Sequence, residues 1–223
     1  MKSFKIITKR ASDRHGGTEA LGKMLTSPKS AKTIKGIPDD RWLSALTKCV
    51  FQAGFNWKII EDKWDRFEEV FAGFSINRWL MMSDDDLDQL LTTEGIVKNY
   101  AKIRSVSANA HYLKDLIDEH GSIGHYFSTW KLKDYSSNLQ NMQKKSSRLG
   151  GKTGQVFLRR MGIDTLVFTK DVIKSLSREG ILSNKMPSSK KDWAKLQQAL
   201  DTWHQQSGYS LNEISQILAL SIE

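Results

Sequence analysis

Residues 148–171 read RLGGKTGQVFLRRMGIDTLVFTKD, and the way the chain turns at Leu149, Gly150 and Gly151 governs how the rest is read. Two adjacent glycines let backbone come close to a ligand, and the N–H groups that open the next helix then point outward, enough to hold one phosphate. With Lys152, Thr153 and Gly154 they make a short hairpin between two helices. Six cations, Lys144, Lys145, Arg148, Lys152, Arg159 and Arg160, crowd around it. Gly151-Lys152-Thr153 also looks like the end of a nucleotide-binding P-loop. The earlier glycine of that loop and the strand before it are both missing, which sets the P-loop reading aside.

Outward from the hairpin, the charge is uneven. Residues 136–191 carry +9 and residues 1–35 carry +7, whereas residues 39–94 carry −6; the whole chain sums to +9. Two basic blocks flanking an acidic one imply one positive face, and a polyanion is its natural partner.

Apolar residues recur at helical spacing along most of the 223 residues, and no sustained alternation marks a half-buried strand, so the expected fold is all-α. Pro38, Asp39 and Asp40 start a helix with Trp42, Leu46, Cys49, Val50 and Ala53 on one face, ending at Gly54. A second helix is expected from Trp57 to Phe71, and Ser83 caps a third from Asp84 to Leu91. Ile103, Val106, Ala110, Leu113 and Ile117 step by three and four through a long helix from Val97 to Glu119. Further helices are expected at Lys152–Met161, Thr165–Ser177, Asp192–Gln206 and Leu211–Ser221, with the polar stretch Leu182–Lys191 as a mobile linker.

Composition narrows the function. A single cysteine, Cys49, allows no internal disulfide and no thiolate-built zinc site, and the five histidines show no metal-binding spacing, so neither metal nor cofactor is expected. No apolar run approaches the ~18 residues that span a bilayer, and Lys5 and Lys9 interrupt the N-terminal apolar stretch. The expected address is the cytoplasm, without a membrane partner.

The segment 148–171 resembles the helix-hairpin-helix DNA glycosylase superfamily, in which a glycine-rich hairpin grips the phosphate backbone and an aspartate follows about one helix later; Asp164 matches that aspartate. A second match lies upstream. FQAGFNWKIIEDKWDRFEEVFAGF at 51–74 and TTEGIVKNYAKIRSVSANA at 92–110 are similar to the 3-methyladenine DNA glycosylase I family, with its QAGxSW and GIIRxxxKIxAxxxNA patterns.

What the resemblance implies is a two-lobed glycosylase domain over residues 1–223, with a central lobe at about 37–150 and a second lobe built from 1–36 plus 151–223, and a cleft between them. The implied partner is double-stranded DNA with damaged bases, bound by a monomer, and the implied reaction is base-excision repair. A damaged base, an alkylated purine such as 3-methyladenine, is flipped out and its N-glycosidic bond hydrolysed. The residues carried over are Trp57, Phe51, Gln52 and Cys49 for the base pocket, and Gly54 with Phe55 for the wedge inserted into DNA. Leu149, Gly150, Gly151, Lys152, Thr153 and Gly154 form the hairpin, and Asp164 is the catalytic acid.

The chain also departs from the family pattern. Cys49 stands where the family has a pocket glutamate, the family's zinc ligands are missing, and an aspartate at position 164 is not typical of it. Two alternatives stay open: a DNA-structure-binding module of the same fold without turnover, and a lyase-type glycosylase acting on oxidised bases through Lys152, whose GGKTG resembles the GxGxKTA of endonuclease III. Each residue also has a plainer role: Asp164 as a helix cap, Phe55 and Trp57 as core aromatics, Lys152 as a phosphate contact.

Overall fold

A computed structural model describes residues 2–222, and among them there is no strand. Fifteen α-helices follow one another: α1 Phe4–Arg14, α2 Thr18–Met24, α3 Ala31–Lys35, α4 Asp39–Gln52, α5 Trp57–Asp62, α6 Trp64–Val70, α7 Ile76–Leu80 and α8 Asp84–Thr92. Then come α9 Tyr100–His120, α10 Ile123–Ser128, α11 Tyr135–Lys145, α12 Thr153–Met161, α13 Lys170–Arg178, α14 Lys190–Ser207 and α15 Leu211–Leu220. None of these helices is long and apolar enough to cross a membrane.

The chain divides into two compact units, one of residues 30–129 and 141–161, the other of 1–29, 130–140 and 162–223. The division differs from the expected lobes in three places, the first being residues 30–36, which go with the central unit. Residues 151–161 go with the central unit because α12 packs on α4, while 130–140 join the terminal unit because Gln197 ties Leu132 O and Ser136 N, at 2.8 and 2.9 Å.

In the central unit α4 is the axis. Trp42, Leu43, Leu46, Val50 and Phe51 are buried, and Phe51 leads into a cluster of Phe67, Phe71, Phe74, Trp64 and Trp79. The expected helix 57–71 breaks at Lys63, so that Trp64 stacks on Phe67 and Phe74. Glu68 then turns inward and accepts from Arg41 Nη1 and Nη2 at 2.8 and 2.9 Å, from Ser44 Oγ at 2.6 Å and from Trp64 Nε1 at 3.0 Å. Burial opposes its charge, but these donors prevail and hold the carboxyl below its ordinary value. The same guanidinium donates to Gly73 O at 2.8 Å and closes the tight turn 72–74, where Ala72 and Phe74 also take positive φ.

In the terminal unit, α1 and α2 have no counterpart among the helices expected from the sequence; Phe4, Ile7 and Leu21 are buried, Phe4 against Trp203, as α1 packs on α14 and α15. The expected helix 165–177 begins only at Lys170, capped by Thr169 Oγ1. Residues 163–169 form no helix because their backbone groups are claimed by distant side chains: Leu166 N–H and C=O by Tyr135 Oη, and Val167 N–H by Ser215 Oγ. The stretch 182–191 is likewise anchored at its start, with Leu182 buried, and its last two residues belong to α14, which opens with a Ser189/Asp192 capping box.

Candidate nucleic-acid interface and base site

The hairpin forms as expected and the structure separates its glycines by role. Leu149 is fully buried and is its anchor, while Gly150, Gly151 and Lys152 are exposed. A Cβ on Gly154 would meet Leu149 O and Met142 Cε at 2.7 Å, so this glycine is fixed by packing within the chain. A Cβ on Gly150 would meet nothing, and the residue has no positive φ. Gly151 takes φ +57°. Among the described residues the N–H groups of Gly150, Gly151 and Lys152 have no protein acceptor, and they open toward solvent at the start of α12.

This contrast predicts opposite outcomes. Gly154→Ala gains up to about 1 kcal/mol of helix propensity but must push backbone aside, a cost of about 1–3 kcal/mol, so a lower thermal midpoint is expected. Gly150→Ala should leave the midpoint unchanged or slightly raised. Melting curves of the two variants side by side check this, and equal destabilisation would contradict it.

The turn after α4 is the second loop of interest. Gly54 has φ +74°, Asn56 caps α5 by accepting from Lys58 N–H at 2.9 Å, and Phe55 and Trp57 stand 43% and 50% exposed, with Ile59 similarly exposed. Large apolar surface left in water on one short loop is unusual for core aromatics, and neither Phe55 nor Trp57 is one. Phe51 is the reverse. It has no exposed surface and meets Phe67 edge-on at 4.8 Å between ring centres, beneath the loop.

Two residues of α9, neither among those expected from the sequence to form the site, tie these loops down. Lys102, 7% exposed, donates from Nζ to Phe51 O at 3.0 Å and Ala53 O at 2.8 Å, and the ammonium lies 4.4 Å from the Phe55 ring centre. It caps the carbonyl end of α4 and carries Phe55. Burial, and then the charge of Arg148, push its pKa below the ordinary lysine value. Seven residues on, Asn109 accepts from Ser147 N–H at 2.7 Å and donates to Ser147 O at 3.0 Å, fixing the entry to the hairpin. Arg148, at φ +61°, donates from Nε to Ala101 O.

Below the loop sits a polar cluster. Gln52 is buried, accepts from Arg160 Nη2 at 2.7 Å and donates to Glu61 at 3.4 Å. Glu61, one turn after Trp57 on α5, is paired with Lys48 at 2.6 Å. Cys49 is buried, and desolvation pushes its thiol up to about 11 despite the opposing charges of Arg160 and Lys48, so it is neutral and inert near pH 7.

Asp164 lies in the terminal unit. Its carboxylate accepts from Leu211 N–H at 3.1 Å and Asn212 N–H at 2.8 Å, the first turn of α15, rather than capping a helix of its own. Burial raises its pKa above the ordinary 3.8, the two N–H donors pull it back, and Glu213 adds to the rise. No group of three or more His, Cys, Asp or Glu side chains among the described residues could hold a metal ion.

A family model described as methyladenine glycosylase matches residues 36–155, a little over half of the chain. No curated protein matches the sequence. Among solved structures, a 3-methyladenine DNA glycosylase I is 17% identical, with 62% of this chain and 83% of that one covered at a TM-score of 0.51. A variant of a 3-methyladenine DNA glycosylase I in complex with 3-methyladenine is 19% identical, with 56% and 78% covered at 0.51. A Methanocaldococcus jannaschii 8-oxoguanine glycosylase/lyase, in complex with DNA containing 8-oxoguanine, is 12% identical, with 96% and 95% covered at 0.55. At such identities the likeness is one of fold, and with the last of these it runs through nearly the whole chain.

Proposed function

Since the chain belongs to the methyladenine glycosylase family, we propose that it is a DNA-repair glycosylase that excises an alkylated purine by hydrolysis, and that the hairpin and the Phe55 loop are its DNA-contacting parts. The observation that carries this reading is the joint anchoring of those two loops by Lys102 and Asn109 on α9, which leaves their apolar tips and free N–H groups facing water.

The chemistry asks little of the protein beyond access and charge. A base stacked in duplex must be extruded before its glycosidic bond can be reached, and an N-alkylated purine already carries the positive charge that makes it a good leaving group. Phe55 fills the gap in the stack and Trp57 stacks on the flipped base. The C1′–N bond breaks, the bonding electrons leave with the base, and a water adds to the cationic sugar and releases a proton. An ionised Asp164 supplies the negative charge that stabilises the sugar cation and orients that water. Lys152, exposed beside the free N–H groups, is a phosphate contact.

The lyase route differs at one point that can be tested. There an amine attacks the sugar and forms an imine, which borohydride reduces to a covalent protein–DNA adduct. Incubation with duplexes bearing methylated purines should release free base, without strand cleavage in the absence of alkali and without a trapped adduct. An adduct lost in Lys152→Ala would establish the lyase instead, and release of no base would leave a binding module.

Binding itself gives a further prediction. Lys144, Lys145, Arg148 and Lys152 are exposed around the hairpin, so neutralising three or four phosphates should give a slope near −3 in log affinity against log salt, about −0.9 per phosphate. Gly150→Val should weaken duplex binding by about tenfold, because its side chain occupies the space a phosphate needs while touching nothing in the protein. Fluorescence anisotropy on undamaged duplex reads both, and salt-insensitive binding would remove the hairpin from the interface.

A further inference from the structure

The polar groups below the Phe55 loop include one donor that nothing accepts from. Arg160, on the last turn of α12, gives Nη2 to Gln52 Oε1 at 2.7 Å, and its Nη1 is buried with no acceptor. Gln52 is held in the orientation that presents its carbonyl to Arg160 because its Nε2 faces Glu61. The Glu61 carboxylate is itself engaged by the Lys48 ammonium at 2.6 Å. Beside them Cys49 offers a neutral thiol at the position where the resemblance places a glutamate.

A purine tells a site what it is through the group at C6. Adenine presents an exocyclic amine, which needs an acceptor such as a carboxylate; guanine presents O6 in its place, an acceptor that a guanidinium N–H can meet. Around Gln52 the glutamate is replaced by Cys49, the carboxylate present is paired with a lysine, and a guanidinium N–H lacks an acceptor. The ring charge does not decide between the two bases, since adenine and guanine methylated at N3 are both cationic in DNA and meet Arg160 with the same repulsion.

We propose that this site selects N-alkylated 6-oxopurines, methylguanines with O6 free, over alkylated 6-aminopurines, and that Arg160 is the specificity-determining residue. The proposal rests on the glycosylase reading above and names the substrate class within it. Gln52 acts as a positioning residue, since its carbonyl fixes one arm of the guanidinium and leaves the other for the base.

The test uses the whole protein and one substrate, duplex DNA treated with a methylating agent so that it carries 3-methyladenine and 3-methylguanine together, with each released base quantified by chromatography. Wild type is expected to release 3-methylguanine with a kcat/KM about tenfold above that for 3-methyladenine. Arg160→Leu should collapse this ratio toward one, and Cys49→Glu, which supplies an acceptor, should tilt it toward 3-methyladenine. A wild-type preference for 3-methyladenine, or an Arg160→Leu variant of unchanged thermal midpoint and unchanged ratio, overturns the proposal while leaving the glycosylase reading intact. Release of neither base counts against that reading. In that event titration calorimetry with the free bases decides the proposal: tighter binding of 3-methylguanine that Arg160→Leu abolishes supports it, and equal or absent binding overturns it.

Discussion

Asp164→Asn lowers base excision by about 10²-fold or more in the hydrolytic reaction proposed here, while affinity for damaged duplex stays close to that of wild type. The size follows from what is removed: a full negative charge that a cationic sugar would face, in surroundings dry enough to raise the carboxyl's pKa. The substitution is not silent structurally, because both carboxylate oxygens accept backbone N–H groups of α15, at 3.1 and 2.8 Å, and an amide can replace only one of them. Relief of the buried charge offsets part of that loss, so a net cost of about 1 kcal/mol, a few degrees in the thermal midpoint, is expected. Single-turnover excision per folded molecule separates the two effects. If activity fell only in proportion to the folded fraction, Asp164 would be an anchor for α15 and nothing more.

The same carboxyl gives a pH signature. Its folded pKa is raised, so it binds its proton more tightly folded than unfolded; its contribution to stability is greatest below the ordinary value of 3.8 and declines as pH rises through the folded value. Catalysis runs the other way, since the ionised form is the active one. Excision by wild type should rise with pH along a limb lying above 3.8, and this limb should disappear in Asp164→Asn. A pH–rate profile unchanged by the substitution would assign the limb elsewhere.

How much of this was written legibly in the sequence depends on whether a residue's role is local. The hairpin could be read because a Gly-Gly turn between helices is a local device, and α4 and α9 because their apolar stripes repeat without interruption. Residues 163–169 could not, since helix spacing there is overruled by Tyr135 and Ser215, side chains far away in sequence that claim the backbone groups a helix would have used. Phe51 lies next to QAG in sequence, but its direction is set by Phe67 on a later helix. Arg160 reads as one more cation in a basic block; only the fold shows it turned toward Gln52. Lys102 did leave a trace: with Val106, Asn109 and Leu113 it follows the apolar stripe of α9, a place where a lysine must have partners.

Lys102→Met tests that last inference at its strongest, because methionine keeps the unbranched stem and removes the three donors. Phe51 O and Ala53 O then lose their partner at the carbonyl end of α4, at about 1–3 kcal/mol for each group left dry, and Phe55 loses the ammonium lying 4.4 Å from its ring centre. Water reaching the half-exposed loop recovers part of this, so a net loss of about 2 kcal/mol and a fall of about 4–8 °C in the midpoint are expected. The functional loss should be larger than the stability loss implies, since the released loop no longer holds Phe55 where a wedge must be. Excision is expected to drop by about tenfold or more below the melting range. Duplex affinity should hardly move, because Asn109 still fixes the hairpin. A 2-aminopurine placed beside the lesion reports extrusion directly: its fluorescence should rise on binding wild type and stay low with Lys102→Met, with partial recovery in Lys102→Arg, which restores charge and donors in a bulkier group. Normal extrusion by Lys102→Met would mean that the loop holds its shape without the lysine, and that the buried ammonium serves the fold alone.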